Sequence, residues 1–287
     1  MKGSSYISGI LLIIISFFVL IPSCKHGTEK VQSIIKTDST IIKRSEKARH
    51  DSLSVELTEF VNDPCFAGAI IGYAIYDFSK GLPKLIFDHN AGIGMVPAST
   101  LKILTTAAAL EIFGEPIYNE VTITNLNSIN WRANRLLQKI GEKKYGIYDL
   151  THGTQAVMEY WKEKGLDITG LYMLDGSGRS HNDTVSPRQL AEVLIKMTTS
   201  PVFPTFYNSL PLAGISGTMH KWLVGSVGAG RVRAKTGSIG GVRSYAGYVK
   251  SLTGKNLIFT LLINNYNCRT KILKERVEDF MLGMVKL

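Results

Sequence analysis

Cysteine, tryptophan and proline are scarce in this 287-residue chain, at three, three and nine residues, and basic side chains outnumber acidic ones by 33 to 23. Three cysteines are too few for a disulfide-dense scaffold, and no Cys/His spacing typical of a metal site accompanies them. Internal repeats are absent, which excludes a solenoid, and so are low-complexity tracts. After the first 23 residues no apolar run approaches the ~20 residues of a membrane span. What remains is an ordinary globular composition, 45% hydrophobic and 20% charged, with room for one large domain or two small ones. No nucleic-acid motif accompanies the formal net charge of +10. The excess therefore reads mostly as solvation, with anionic partners such as a cell wall or membrane surface favoured.

One long hydrophobic run does exist, at the start. "ILLIIISFFVLIPS" follows a lone basic residue, Lys2, ends at Cys24 and gives way to "KHGTEK". Its length is that of a signal-peptide core. The tail "LIPSC" resembles a bacterial lipobox, which implies a lipoprotein signal peptide over residues 1–23 and a lipidated Cys24. A plain signal peptide cleaved elsewhere and a short uncleaved anchor are the alternatives, and all three export the chain. Removing residues 1–23 takes away one of the 33 basic residues and none of the 23 acidic ones, leaving a net charge of +9. Export also places Cys65 and Cys268 in a compartment that permits disulfides.

Residues 24–50 are polar with mixed charges and read as a tether, and residues 51–287 read as the working domain. A short helix is expected from about residue 52, then a strand in "FAGAIIGYAIYDF" with "KLIFDH" as its hairpin partner. "PASTLKILTTAAALEIF" carries apolar residues around most of a helical circumference, the mark of a helix buried on nearly all sides. "WRANRLLQKIG" and "GTQAVMEYWKEKG" read as helices closing on glycine, and "SPRQLAEVLIKMTTS" as one opening with a serine cap and a first-turn proline. "GRVRAKTG", "GVRSYAGYVKS" and "NLIFTLLINN" then read as strands, and "LKERVEDFMLGMVKL" as a closing helix. Strands at both ends with helices between predict an α+β fold.

Within the buried helix, Ser99 and Lys102 stand three apart, so the lysine lies beside the hydroxyl on one face. Serine is a weak nucleophile until its proton is removed, and lysine removes it only when held neutral by burial or a nearby cation. Lys235, in "RAKTG" at a strand end, offers that second cation and a charge to bind a substrate carboxylate. Ser128 and Asn130, in "NLNSINW" at a loop-to-helix junction, offer a hydroxyl for proton relay. The order S-x-x-K, S-x-N, K-T-G is the set found in penicillin-binding proteins and class A β-lactamases.

Between about residues 66 and 265 the chain resembles the serine D-Ala-D-Ala carboxypeptidases/endopeptidases, the low-molecular-mass class C penicillin-binding proteins of the penicillin-binding protein 4 type. Besides the three motifs, the resemblance rests on "PASTLKILTTAAAL", "LDGSGRSHNDTVSPRQLAEVL", "LPLAGISGTMH" and "RVRAKTGSIGGVRSYAGYV". It implies a β-lactamase/transpeptidase-like serine hydrolase whose antiparallel sheet joins N- and C-terminal strands. Ser99 would attack the carbonyl of the penultimate D-alanine, with Lys102 accepting its proton. Ser128 would pass a proton to the departing D-alanine, and Asn130 would contact the substrate backbone and Lys102. Lys235 and Thr236 would hold the terminal carboxylate, and Gly237 would let the strand approach closely. The N–H groups of Ser99 and Ser238 would form the oxyanion hole.

No metal or other cofactor is implied, His181 and His220 receive no role, and the "DGSG" turn at 175–178 reads chiefly as a tight turn. The implied partners are peptidoglycan stem peptides, β-lactams and, through the lipid anchor, the periplasmic face of a bacterial membrane. In this fold the first strand pairs with the last, which implies a Cys65–Cys268 disulfide closing a loop of about 200 residues.

The chain departs from the family between S-x-x-K and S-x-N, where a long insertion is missing and the α-lobe is reduced. A helix over 99–113 covers ~22 Å, and residues 114–127 span up to ~46 Å if extended, so Ser128 can still return to Ser99. The shortened lobe leaves substrate choice open. It also keeps two other readings in view, a non-catalytic wall-binding or β-lactam-sensing lipoprotein and a β-lactamase or esterase on the same scaffold. No match to the glutamate-bearing deacylation loop of class A β-lactamases is found, so slow release of penicillin is expected.

Overall fold

The computed structural model describes residues 25–287, and side-chain surroundings from residue 41 onward. The signal peptide read over residues 1–23 and the lipidation read at Cys24 lie outside the described residues. By its contacts the chain divides into two compact units, residues 1–47 and 48–287. The described part of the first unit is helical and belongs to α1 (Lys25–Val61). The stretch expected as a tether followed by a short helix from residue 52 is therefore one helix. Between residues 28 and 63 there is neither glycine nor proline to interrupt it.

In the second unit, β1 (Ile70–Asp77) and β2 (Lys84–His89) form the expected hairpin. Six helices follow: α2 (Lys102–Phe113), α3 (Tyr118–Asn127), α4 (Asn130–Tyr145), α5 (Leu150–Glu163), α6 (Pro187–Thr198) and α7 (Phe203–Ser209). Then come β3 (Val232–Ile239), β4 (Val242–Lys250), β5 (Asn256–Asn264) and α8 (Thr270–Lys286). The five strands form one sheet in the order β2-β1-β5-β4-β3, antiparallel throughout. Pairing of β1 with β5, from Ile70 opposite Asn264 to Asp77 opposite Leu257, completes the sheet from the two ends of the domain, the α+β arrangement expected.

Because side chains alternate along a strand, β5 feeds two cores. Leu257, Phe259, Leu261 and Ile263 pack with Leu53, Leu57 and Phe60 of α1 and with Val277, Phe280 and Met284 of α8. Ile258 and Leu262 face the other way, into the core built by α2 and α4–α7. At that core's centre is α2, buried at every residue from Lys102 to Leu110 and packed on α3, α4, α5 and α6.

Two expectations need correction. Gly141 does not end its helix; α4 runs on to Tyr145 and closes on Gly146 at φ 73°. A Cβ on Gly141 would lie 2.7 Å from the Gly153 nitrogen, so this glycine serves the contact of α4 with α5. The link 114–127, taken above as extendable chain, is largely α3. Its run Val121–Thr124 is β-branched and a weak helix former. Packing overrides that preference: Val121, Thr124 and Asn125 are buried, and Asn125 Nδ2 donates to Ser209 Oγ of α7 (2.9 Å) and Thr106 Oγ1 of α2 (3.2 Å).

Candidate active site

Ser99 sits in the short helical segment Ala98–Leu101 that leads into α2. Its first residue, Ala98, has φ 45°, a left-handed conformation that costs a non-glycine residue roughly 1–3 kcal/mol. Neighbours hold it there. A Cβ on Gly178 would come within 1.8 Å of the Ala98 oxygen. On the other side, a Cβ on Gly237 of β3 would lie 2.8 Å from the Ser99 nitrogen and 2.9 Å from the Pro97 oxygen. Only glycine lets the strand backbone and the serine turn meet this closely, as expected of Gly237.

Lys102, one helical turn on from Ser99, is fully buried. Its Nζ donates to Ser99 Oγ (2.8 Å), Asn130 Oδ1 (2.7 Å) and the Ser177 carbonyl (2.8 Å). Burial brings its pKa down to about 7, against a smaller opposing pull from the Asp175 charge. The Lys102 amine can therefore be half neutral near neutral pH.

Ser128 is delivered by α3 as its left-handed C-terminal cap, φ 56°, immediately before Asn130 opens α4. Its Oγ accepts from Lys235 Nζ at 2.9 Å, and Lys235 also donates to the Thr236 carbonyl at 2.8 Å. Lys235 is fully buried, and its pKa falls well below the ordinary lysine value, first through burial and then through the Lys102 charge. Burial, then, is what chiefly frees Lys102 of its proton. The repulsion anticipated from a second ammonium is mutual and registers most at Lys235.

Outer-edge groups of β3 are only partly used. Ala213 N donates to the Val232 oxygen and Ala234 N to the Pro211 oxygen, both at 2.9 Å. The same two-residue period turns the backbone groups of Thr236 and Ser238 to this edge, where no strand pairs with them. Thr236 Oγ1 donates to Thr218 Oγ1 at 2.8 Å, and Ser238 is exposed. Cys65 and Cys268 are joined by a disulfide with Cα atoms 5.1 Å apart.

Sequence reasoning understated the "DGSG" turn. It is a turn, with Asp175 Oδ1 accepting from the Ser177 and Gly178 nitrogens at 2.6 and 2.7 Å. It also supplies the third acceptor of Lys102. The signal was the Asp-x-Ser-Gly spacing, which forms an Asx turn. Thr218 was missed altogether, since nothing in "GISGTMH" marks it from the sequence. His181 Nε2 lies 3.2 Å from the Gly240 oxygen and His220 Nδ1 2.8 Å from the Gly217 oxygen.

Asp183 braces the same turn. It is fully buried, and its carboxylate accepts from Leu174 N (2.7 Å) and Ser180 N (3.2 Å), the residues flanking 175–178. Burial raises its pKa to about 6, the Asp175 charge adding to the rise and these backbone hydrogen bonds opposing it. A carboxyl with a raised folded-state pKa binds its proton more tightly folded than unfolded. Its stabilising contribution is complete at low pH and is lost as pH climbs from about 4 to about 6. Relative to Asp183→Asn, the protein should lose about 2 kcal/mol of unfolding free energy across that window, read from urea titrations at pH 4 and pH 7.

The description "D-Ala-D-Ala carboxypeptidase 3 (S13) family" belongs to a family model that matches residues 53–125 and 115–281. A D-alanyl-D-alanine carboxypeptidase of Actinomadura sp. (strain R39) is 29% identical over 186 residues, 62% of this chain and 33% of that protein. The chain spans about a quarter to two fifths of the length of curated relatives such as this one. Among solved structures, penicillin binding protein 4 from Haemophilus influenzae superposes with a TM-score of 0.53 at 24% identity, over 58% of this chain and 40% of that one. A class A β-lactamase from Bacteroides cellulosilyticus reaches 0.65 at 14% identity, over 83% of this chain and 97% of that one. These likenesses show the β-lactamase/transpeptidase-like fold. With a family match running from the last turns of α1 almost to the end of α8, the chain belongs to the D-Ala-D-Ala carboxypeptidase 3 (S13) family.

Proposed function

We propose that this protein is a serine-type D-alanyl-D-alanine carboxypeptidase or endopeptidase that acts on peptidoglycan stem peptides through an acyl-enzyme on Ser99 and binds β-lactams at the same serine. The observation that carries the reading is the triple anchoring of the buried Lys102 amine on Ser99, Asn130 and the Ser177 carbonyl. Neutral Lys102 takes the Ser99 proton as Oγ attacks the carbonyl of the penultimate D-alanine. The oxyanion forms at the close approach of β3 to the serine turn, where the N–H groups of Ser99 and Ser238 receive it. Ser128, held on Lys235, passes its proton to the departing amine as the peptide C–N bond breaks and takes in its place the proton that Lys102 removed from Ser99. Lys235 and Thr236 take the terminal carboxylate, and Asn130 orients the substrate backbone. Water then releases the shortened peptide.

The protein is exported and held by a lipid on Cys24 at the periplasmic face of the membrane. Two observations favour slow release of β-lactams. Among the described residues no carboxylate hydrogen-bonds Ser99 or Lys102, and Asp175, the acid whose charge acts on Lys102, is committed to its own turn. A reduced α-lobe leaves fewer walls around the cleft, which suits short or cross-linked stem peptides.

Intact-protein mass after mixing residues 25–287 with benzylpenicillin, beside Ser99→Ala, tests the proposal. A persistent adduct of one penicillin per chain, absent from Ser99→Ala, is expected, with D-alanine release from muropeptides as the companion assay. A folded protein that forms no adduct under rapid-quench sampling would leave the non-catalytic binding reading in its place. An adduct that disappears within seconds would favour a β-lactamase.

A further inference from the structure

Lys235 poses a problem of charge. It is fully buried, lies close enough to Lys102 for the two charges to repel, and its hydrogen-bond partners are the Ser128 hydroxyl and the Thr236 carbonyl, both neutral. Among the described residues no acidic side chain forms an ion pair with it. A buried cation held only by neutral groups is completed by an anion from outside. The free groups around it lie on the unpaired outer edge of β3, and one of them comes from outside the three motifs.

That group is the Thr218 hydroxyl, 2.8 Å from Thr236 Oγ1. Its turn is fixed in place. The segment 211–213 is hydrogen-bonded to β3, Ser216 Oγ accepts from Leu212 N at 3.1 Å, and a Cβ on Gly217 would meet the Leu126 oxygen of α3 at 2.5 Å. Thr218 is thus tied both to β3 and to the helix that delivers Ser128. A hydroxyl has one proton and two lone pairs. The single Thr236 proton can serve Thr218 or an incoming anion, but not both. Once Thr236 turns its proton to an anion, Thr218, which has no other partner among the described residues, supplies a proton in its turn.

We propose that Thr218 is a substrate-binding residue whose hydroxyl completes, with Thr236 and Lys235, the cradle for a free carboxylate, so that it sets the preference for a C-terminal acid over a blocked terminus. The proposal rests on the acyl-transfer reading of the site. It concerns the leaving-group side of the cleft and leaves the acyl group aside.

Two thioesters separate these sides. N-benzoyl-D-alanyl thioglycolate and its methyl ester give Ser99 the same acyl group, with the C–S bond breaking as the Ser99 ester forms. They differ only in the carboxylate of the departing thiol. With the purified full-length protein, Thr218→Val should lower the acid-to-ester ratio of kcat/KM about tenfold, the loss falling on KM for the acid, and Thr218→Ser should restore it. Equal losses on both thioesters, or an unchanged ratio, would overturn the inference while leaving the acyl-enzyme reading intact. A wild-type protein that acylates Ser99 with neither thioester would instead remove that reading, and the role of Thr218 with it.

Discussion

Lys102→Met slows acylation of Ser99 by benzylpenicillin about 10³- to 10⁴-fold, the upper range for loss of a general base. Wild-type kcat/KM rises about tenfold per pH unit below neutrality and levels off above pH 7, because the base works only when neutral and burial sets its pKa at about 7. Stopped-flow acylation between pH 5 and 9 reads both effects. Lys102→Arg is the informative control. It keeps a positive charge at the same place but cannot lose its proton, so it is as slow as the methionine variant and shows no rise near pH 7. A Lys102→Arg protein retaining more than a tenth of the wild-type rate would mean that the charge of Lys102, and not its lone pair, is what Ser99 requires.

The second large effect is on stability. Cys65 precedes β1 and Cys268 follows β5, so pairing of Ile70 with Asn264 brings the two ends together and the disulfide clasps them. The bridge closes a sequence separation of 203 residues. In the chain-entropy treatment a loop of that size restricts the unfolded state by about 5 kcal/mol. The Cys65 end is anchored in the fold: Asp63 Oδ1 accepts from Cys65 N at 2.8 Å, and the Asp63 carboxylate pairs with Arg276 of α8. Cys65→Ser with Cys268→Ser should therefore lower Tm by roughly 10–20 °C in a domain of this size. Calorimetry of the double variant beside the oxidised wild type measures the drop, and a shift under 3 °C would mean that the paired strands hold the ends without the bridge. Neither cysteine is a hydrogen-bond partner of Ser99, Lys102, Ser128 or Lys235, so the double variant should still form the Ser99 adduct at 20 °C.

Much of this architecture could be read from the residues because local pattern and tertiary demand agreed. The all-round apolar surface of α2 announced a central helix, and the β-rich segments at the two ends announced a sheet closed by β1 and β5. The Ser186 cap and first-turn Pro187 marked the start of α6, to which the structure adds Gln189 as the other half of a capping box. Where pattern and packing diverged, the reading failed. In α3 the β-branched run opposes a helix, and only the buried Asn125 network makes one. In α1 the mixed charges resembled a tether, while the absence of any breaker let the helix extend. Site residues in the three motifs were legible because S-x-x-K on a helix and K-T-G on a strand fix their own geometry. The Ser177 carbonyl was not, since a backbone oxygen carries no side-chain signature. Thr218 was hidden for another reason: its relevance comes from the pairing of 211–213 along the edge of β3, a contact between segments with no shared pattern.

Since α2 is the centre of a core and carries Lys102, a β-lactam reaction at Ser99 of the kind proposed would double as a folding sensor. The Lys102 amine keeps its lowered pKa of about 7 only while the side chains around α2 keep water out. Any loosening of that core returns the amine toward its ordinary basicity and silences Ser99, even in molecules whose backbone is still helical. A covalent tag on Ser99 would therefore count only chains with an intact interior. In a mixture of native and partly unfolded protein it would report the native fraction without separating the two, as circular dichroism of so helical a chain cannot.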